Sequence, residues 1–149
     1  MKKDILYVAA HFLLFALYFV DWQILNLGLG GWMHYVFLSL VIIGLLLVVL
    51  GILSLNANFS PFPTPKSNAS LISHGIYKYV RHPVYSGIIL SLFAYAFFSN
   101  SAFRVVITIA LVALFYLKTN LEEKLLRARF PDYKQYMQQT GRFFPKQRK

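Results

Sequence analysis

Residues 41–53 read VIIGLLLVVLGIL, a run without one polar side chain. Outward from it, no formal charge occurs between Asp21 and Lys66. A helix needs roughly 20 predominantly apolar residues to cross the hydrocarbon core of a bilayer, and Trp32–Leu55 supplies them. Charge is also missing from 82–103 and from 105–117. With the apolar run that begins at Ile5, these stretches predict spans at about 5–27, 32–55, 84–98 and 103–121. The third is short, and Asp21 interrupts the first near its end. The expected fold is all-α: one integral membrane domain over 1–149, a bundle of four transmembrane helices with a cytoplasmic C-terminal helical segment.

Composition agrees. The 149 residues are 58% hydrophobic and 13% charged, against about 25% charged in an ordinary soluble domain. The 17% aromatic content excludes a disordered chain. Cysteine is absent, so no disulfide, thiolate metal site or cysteine nucleophile is available. Fifteen Lys+Arg against five Asp+Glu would suit a nucleic-acid binder, but placement decides the matter. Lys2 and Lys3 precede the first run, Lys66, Lys78 and Arg81 lie in 56–83, and nine more follow Leu117. Only Arg104 sits beside the Ser99–Ser101 turn. The positive-inside rule puts the other fourteen on the cytoplasmic face with both termini. The excess then reads as topology and attraction to anionic lipid, not to nucleic acid. The first run is too long for a signal-peptide core and lacks a small-residue cleavage site, so it is expected to be retained.

Two polar segments look like more than connections. Residues 56–83 read NANFSPFPTPKSNASLISHGIYKYVRHP. Pro61, Pro63 and Pro65 favour extended backbone, and ordered connections of this length are usually functional. His82-Pro83 opens the third span with proline at its preferred first helical position. That leaves the amides of Val84 and Tyr85 free to meet an anion, while Gly87 permits close approach of a helix or ligand. In the C-terminal segment the fourth span should continue as helix up to Pro131. Lys118 and Glu122, four apart, share a face. Glu122 is expected to face inward at the membrane edge, where carboxylates are usually functional, and Glu123 to pair outward with Arg127 as a solvated ion pair. A short helix should follow with Tyr133, Tyr136 and Met137 on one face, stopped by Gly141. His11 is expected to make a helix–helix hydrogen bond, and Asp21 and His34 to be solvated at the interface.

The stretch 71–87, LISHGIYKYVRHPVYSG, resembles the signature of the isoprenylcysteine carboxyl methyltransferase and phospholipid methyltransferase superfamily. A second block is similar too: Glu122-Glu123, Leu126, Phe130, Tyr133, Tyr136, Arg142 and Pro145. The resemblance covers roughly 56–145. It implies a membrane methyltransferase using S-adenosylmethionine on a lipid or other lipophilic acceptor. The implied cofactor positions are Leu71, Ile72, Tyr77, His82, Pro83, Val84, Tyr85 and Glu122, within segments 56–87 and 118–145, with no metal. Lys118 stands where prenylcysteine-type members have an arginine thought to orient the acceptor carboxylate, and it lacks arginine's bidentate fork. The chain also lacks the extra spans of the eukaryotic members, and the expectation is a bacterial or archaeal inner membrane. The alternatives are an NADPH-dependent reductase of the related sterol-reductase type and a non-catalytic membrane scaffold.

Overall fold

The structure, a computed structural model, describes residues 2–20 and 27–146. Asp21, Arg148 and Lys149, which entered the charge argument, lie outside the described residues. The elements are α1 (Lys2–Phe19), α2 (Gly31–Leu55), α3 (Pro83–Phe98), α4 (Ala102–Arg129) and α5 (Tyr133–Gln139), with single 3-10 turns at Asn56–Asn58 and Gly75–Lys78. Among the described residues there is no strand, only a parallel bridge between Val80 and Gly141.

α2 and α4, with 25 and 28 residues, are long and apolar enough to cross a membrane. At ~1.5 Å per residue each exceeds a ~30 Å hydrocarbon core. α3 has 16 residues and the described α1 has 18; residues 21–26 of the first apolar run lie outside the described residues.

α2 is hydrophobic all round, so no single face commits it to the protein. Its buried residues are Gly44 and Gly51, while Ile42, Ile43, Leu46 and Leu50 point away from the protein. It meets α3 through missing side chains. A Cβ on Gly44 would strike Ser91 Oγ and lie 2.8 Å from the Gly87 carbonyl oxygen. A Cβ on Gly87 would lie 2.5 Å from the Gly44 carbonyl oxygen. Gly87 thus admits a helix, as small residues do where membrane helices touch. The side-chain core lies elsewhere, where Tyr18, Leu92, Ile107, Leu111 and Phe115 bring α1, α3 and α4 together. Tyr18 closes it by donating to the Leu92 carbonyl at 2.6 Å.

Asn100 organises the turn between α3 and α4. Its φ of 53° is one that asparagine tolerates. Its carbonyl accepts from the Leu27 amide at 3.1 Å and its Oδ1 from the Leu29 amide at 2.9 Å. Nδ2 donates to His34 Nε2 at 3.2 Å, and the His34 ring packs on Phe98. His34 is therefore half-buried and engaged with the hairpin turn, not simply solvated. Arg104 is also folded in: its guanidinium lies 5.3 Å from the Tyr95 ring centre, and Nε donates to the Tyr18 carbonyl at 3.4 Å.

At the opposite end, the proline-rich stretch 59–74 forms no helix, as its prolines require. Asn58 and Ser70 hold its two ends together through side-chain bonds of 3.3 and 3.2 Å. Thr64 donates to Asp4 of α1 at 2.9 Å, and Arg129 donates to the carbonyls of Lys66 and Ser67. Gly141 does not act as a helix stop. α5 ends at Gln139, and Gly141 pairs with the 79–81 strip: its amide donates to the Tyr79 carbonyl at 3.3 Å and its carbonyl accepts from Arg81 at 2.9 Å. Glycine is required there because a Cβ would collide with the Phe144 carbonyl.

Candidate active site

A cavity of about 180 Å³ opens where the 56–83 connection crosses the ends of the helices. α1 contributes His11 to its wall, α3 Tyr85 and Ile88, α4 Lys118, Glu122 and Leu126, and α5 Tyr133 and Tyr136. Phe59 and Phe62 of the proline-rich stretch also line it. Of the residues singled out from sequence, Leu71, Ile72, Tyr77, His82, Val84, Tyr85, Lys118 and Glu122 all reach this wall. Pro83 does not; it is buried at the first position of α3, next to Gly51 of α2.

The local reasons are short-range. Pro83 starts α3, and His82 before it offers no side-chain cap, so the Val84 and Tyr85 amides are left without one. The Ser86 hydroxyl donates to the carbonyls of His82 and Phe143, at 3.0 and 2.7 Å, fixing the first turn against the C-terminal segment. Lys118 and Glu122 project one turn apart from α4 into the cavity. The Lys118 ammonium lies 5.2 Å from the Tyr85 ring centre, and its side chain is 1% exposed. Tyr85 donates to Glu122 Oε2 at 3.4 Å, and its ring stacks on Phe115.

The two glutamates follow the apolar part of α4 and differ sharply. Glu122 keeps 24% of its side chain accessible, with His82 Nδ1 at 3.9 Å from Oε2. Burial pushes its carboxyl above the usual carboxylate range, while the nearby His82 and Lys118 pull the other way. Glu123 is 1% exposed and is not the solvated partner of Arg127 expected from spacing. Arg127 Nε donates to its backbone carbonyl instead. The Glu123 carboxylate accepts from Arg81 Nε at 2.9 Å, His82 Nε2 at 3.2 Å and Arg142 Nη2 at 2.8 Å. Burial raises this carboxyl, but the three donors outweigh it and hold it down to about 2. Arg81 also donates to the Thr140 and Met137 carbonyls, and Arg142 to Asn120 at 2.7 Å. Glu123 thus ties the segment before α3, the α4 helix and the C-terminal segment at one point. Tyr136 adds a bond of 2.6 Å to the Tyr77 carbonyl, and burial pushes the Tyr77 phenol upward, with Glu122 adding to it.

Sequence reasoning missed two things here. His11 makes no helix–helix hydrogen bond among the described residues; its Nδ1 is buried without a partner and its ring faces Phe15 and Phe115. The Arg81–Glu123–Arg142 hub was invisible because its members lie far apart in the chain. The only signal was that each belongs to a recurring motif block.

The chain is an all-helical bundle with a cavity at the mouth of its helices. The fold is similar to that of the eukaryotic intramembrane Ras methyltransferase ICMT (isoprenylcysteine carboxyl methyltransferase): TM-score 0.73, 24% identity, 97% of this chain aligned on 54% of that one. The chain belongs to the phospholipid methyltransferase family, whose profile matches residues 32–133. The cobalt-zinc-cadmium resistance protein CzcN of Cupriavidus metallidurans is 26% identical over 118 residues, 78% of this chain and 53% of that protein. The chain therefore spans about half the length of both relatives.

Proposed function

We propose that this chain moves a methyl group from S-adenosylmethionine to a lipophilic acceptor that reaches the site from the bilayer. The observation that carries the reading is a single cavity with two kinds of wall. One is polar, from His82, Tyr85, Lys118 and Glu122 at the helix ends; the other is apolar, from Phe59, Phe62, Leu71 and Ile72 of the connection and Ile88 of α3.

The polar wall fits the cofactor's groups. The accessible Glu122 carboxylate suits the ribose hydroxyls, and the uncapped Val84 and Tyr85 amides suit the methionine carboxylate. Leu71, Ile72 and Tyr77 suit the adenine, and His82 steadies both glutamates. When bound, S-adenosylmethionine supplies the methyl group as an electrophilic sulfonium carbon. The chain's own task is to hold and align. Positioning of this kind is worth up to ~7–11 kcal/mol of barrier. The stretch 59–65, Tyr133 and Tyr136 close the cavity from bulk water, and Lys118 orients the acceptor.

In this reading all four apolar helices span a bacterial or archaeal inner membrane. The 56–83 connection and both termini face the cytoplasm, and the acceptor enters laterally. Calorimetric titration of the detergent-purified chain with S-adenosylmethionine, and separately with NADPH, tests the proposal. Saturable binding of S-adenosylmethionine is expected. Its absence at millimolar concentration would sink the proposal, and tight NADPH binding would favour a reductase.

A further inference from the structure

We infer that the C-terminal strap, residues 141–146, is a docking surface for an anionic phospholipid leaflet, with Phe144 seated among the lipids and Lys146 among their phosphates. The inference concerns lipid held by the strap, not the methyl acceptor, and it rests on α4 spanning a bilayer as proposed above.

The level of the strap follows from α4. Val106, Ile109, Val112 and Tyr116 are exposed and recur three or four residues apart, so they form one apolar stripe turned away from the protein. On the same face Asn120, Lys124 and Arg127 follow, all exposed and polar. The change falls between Tyr116 and Asn120, and there a bilayer-spanning α4 passes from hydrocarbon into headgroups. Arg142 touches both sides of the change. Its guanidinium lies 4.9 Å from the Tyr116 ring centre, and Nη1 donates to Asn120 Oδ1 at 2.7 Å. The strap is thereby pinned at the membrane edge, on the side of α4 that faces lipid.

The residues after Arg142 divide between protein and surroundings. Phe143 packs against the core, and its carbonyl accepts from Ser86 at 2.7 Å. Phe144 turns away and is 78% exposed, more than any other large apolar side chain among the described residues. A single exposed phenylalanine is common where the surroundings are water. Two residues from a guanidinium at headgroup level, its surroundings are interfacial lipid, where aromatic rings are favoured. Charge then selects the lipid. From Tyr133 to Lys149 the sequence has five bases and no acid. Lys146 Nζ donates to the Gln138 carbonyl at 2.8 Å, and the remaining N–H groups of its ammonium are left for phosphate. Each base held near an anionic leaflet strengthens the attachment about fivefold.

The chain has no native cysteine, so Phe144→Cys and, separately, Ile109→Cys can each carry one NBD fluorophore. Both substitutions fall on exposed side chains, and the fold should survive them. The purified full chain is placed in phosphatidylcholine vesicles, with or without phosphatidylglycerol, that contain a nitroxide-labelled phospholipid. The label at position 144 should be quenched by a nitroxide near the headgroup, and more completely when phosphatidylglycerol is present. The label at position 109 should be quenched by a nitroxide deep in the acyl chain in both compositions. Adding Lys146→Gln should lower the ratio of quenched to unquenched label at 144 about fivefold in the anionic vesicles and leave it unchanged in phosphatidylcholine alone. Quenching at 109 without quenching at 144 would overturn this inference alone. A label at 144 indifferent both to phosphatidylglycerol and to Lys146→Gln would do the same. Quenching at 144 that disappears as the protein is concentrated at fixed lipid would seat a second copy of the chain on the strap in place of lipid, and would also overturn it. An unquenched label at 109 would overturn the membrane arrangement beneath it.

Discussion

Glu122 and Glu123 point about 100° apart around α4, and that rotation sends one into the cavity and the other into the hub. Removing Glu123 leaves Arg81, Arg142 and His82 facing an uncompensated buried site. Loss of one partner from such a network costs about 3–5 kcal/mol. Glu123→Ala should therefore lower the thermal midpoint in detergent sharply. Glu122→Gln should leave the midpoint nearly unchanged and weaken S-adenosylmethionine binding in calorimetry. Parallel losses of stability and binding in both variants would remove the distinction. The depressed Glu123 carboxyl adds a pH dependence. Its folded value of about 2 lies below the reference value of 4.5. Its contribution is thus complete above pH 4.5 and is lost as the pH falls toward 2. Melting followed from neutral to acid pH should show a fall that is shallower in Glu123→Gln. The pairing of Lys118 with Glu122 on one face was legible in sequence because a four-residue spacing is a property of a single helix. The partners of Glu123 were not, because Arg81 and Arg142 sit 42 and 19 residues away and only the folded chain brings them together.

At the scale of elements, the α2–α3 crossing depends on hydrogen atoms where side chains would be. Gly87→Leu would force the Gly44 carbonyl and Val48 apart. Overpacking of this kind costs about 1–3 kcal/mol, so the midpoint should drop, whereas Gly31→Ala, with nothing within 4 Å of the new methyl, should melt like the unaltered chain. An equal response would place the crossing elsewhere. The value of Gly87 could be read ahead of the structure, because a glycine in an apolar helix has few other uses. Which helix would approach it could not, since α2 is apolar on every side and its pattern prefers no face. Gly141 misled for the converse reason. A glycine after a short helix is ordinarily a stop, and only the pairing with residues 79–81 shows that it is kept small for a backbone neighbour.

For the whole molecule, the apolar runs lie within a residue or two of the ends of α2 and α3 and of the start of α4, because exclusion of charge is a long-range signal that needs no contacts. The cavity could not be outlined that way, since its wall is assembled from α1, the proline-rich stretch, the helix ends and α5. The distribution of the bases predicts that Gly30 and Ser67, both exposed, lie on opposite sides of the membrane. The chain has no native cysteine, so Gly30→Cys and Ser67→Cys can each be labelled alone in sealed vesicles with an impermeant maleimide. Reaction from opposite faces is expected, and reaction from the same face would refute the four-span arrangement.

The pairing of residue 141 with residue 80 also sets an order of events during synthesis. A chain made from its N-terminus has all its long helices complete at Arg129, before the segment that braces the Arg81 side of the site exists. Insertion and assembly of the site are therefore separate steps. A nascent chain halted at Phe130 would hold Glu123 with Arg81 and His82 but would lack Arg142 and the tyrosines of α5. The competence to bind a ligand would appear only when the final stretch is released and laid across the entrance to α3.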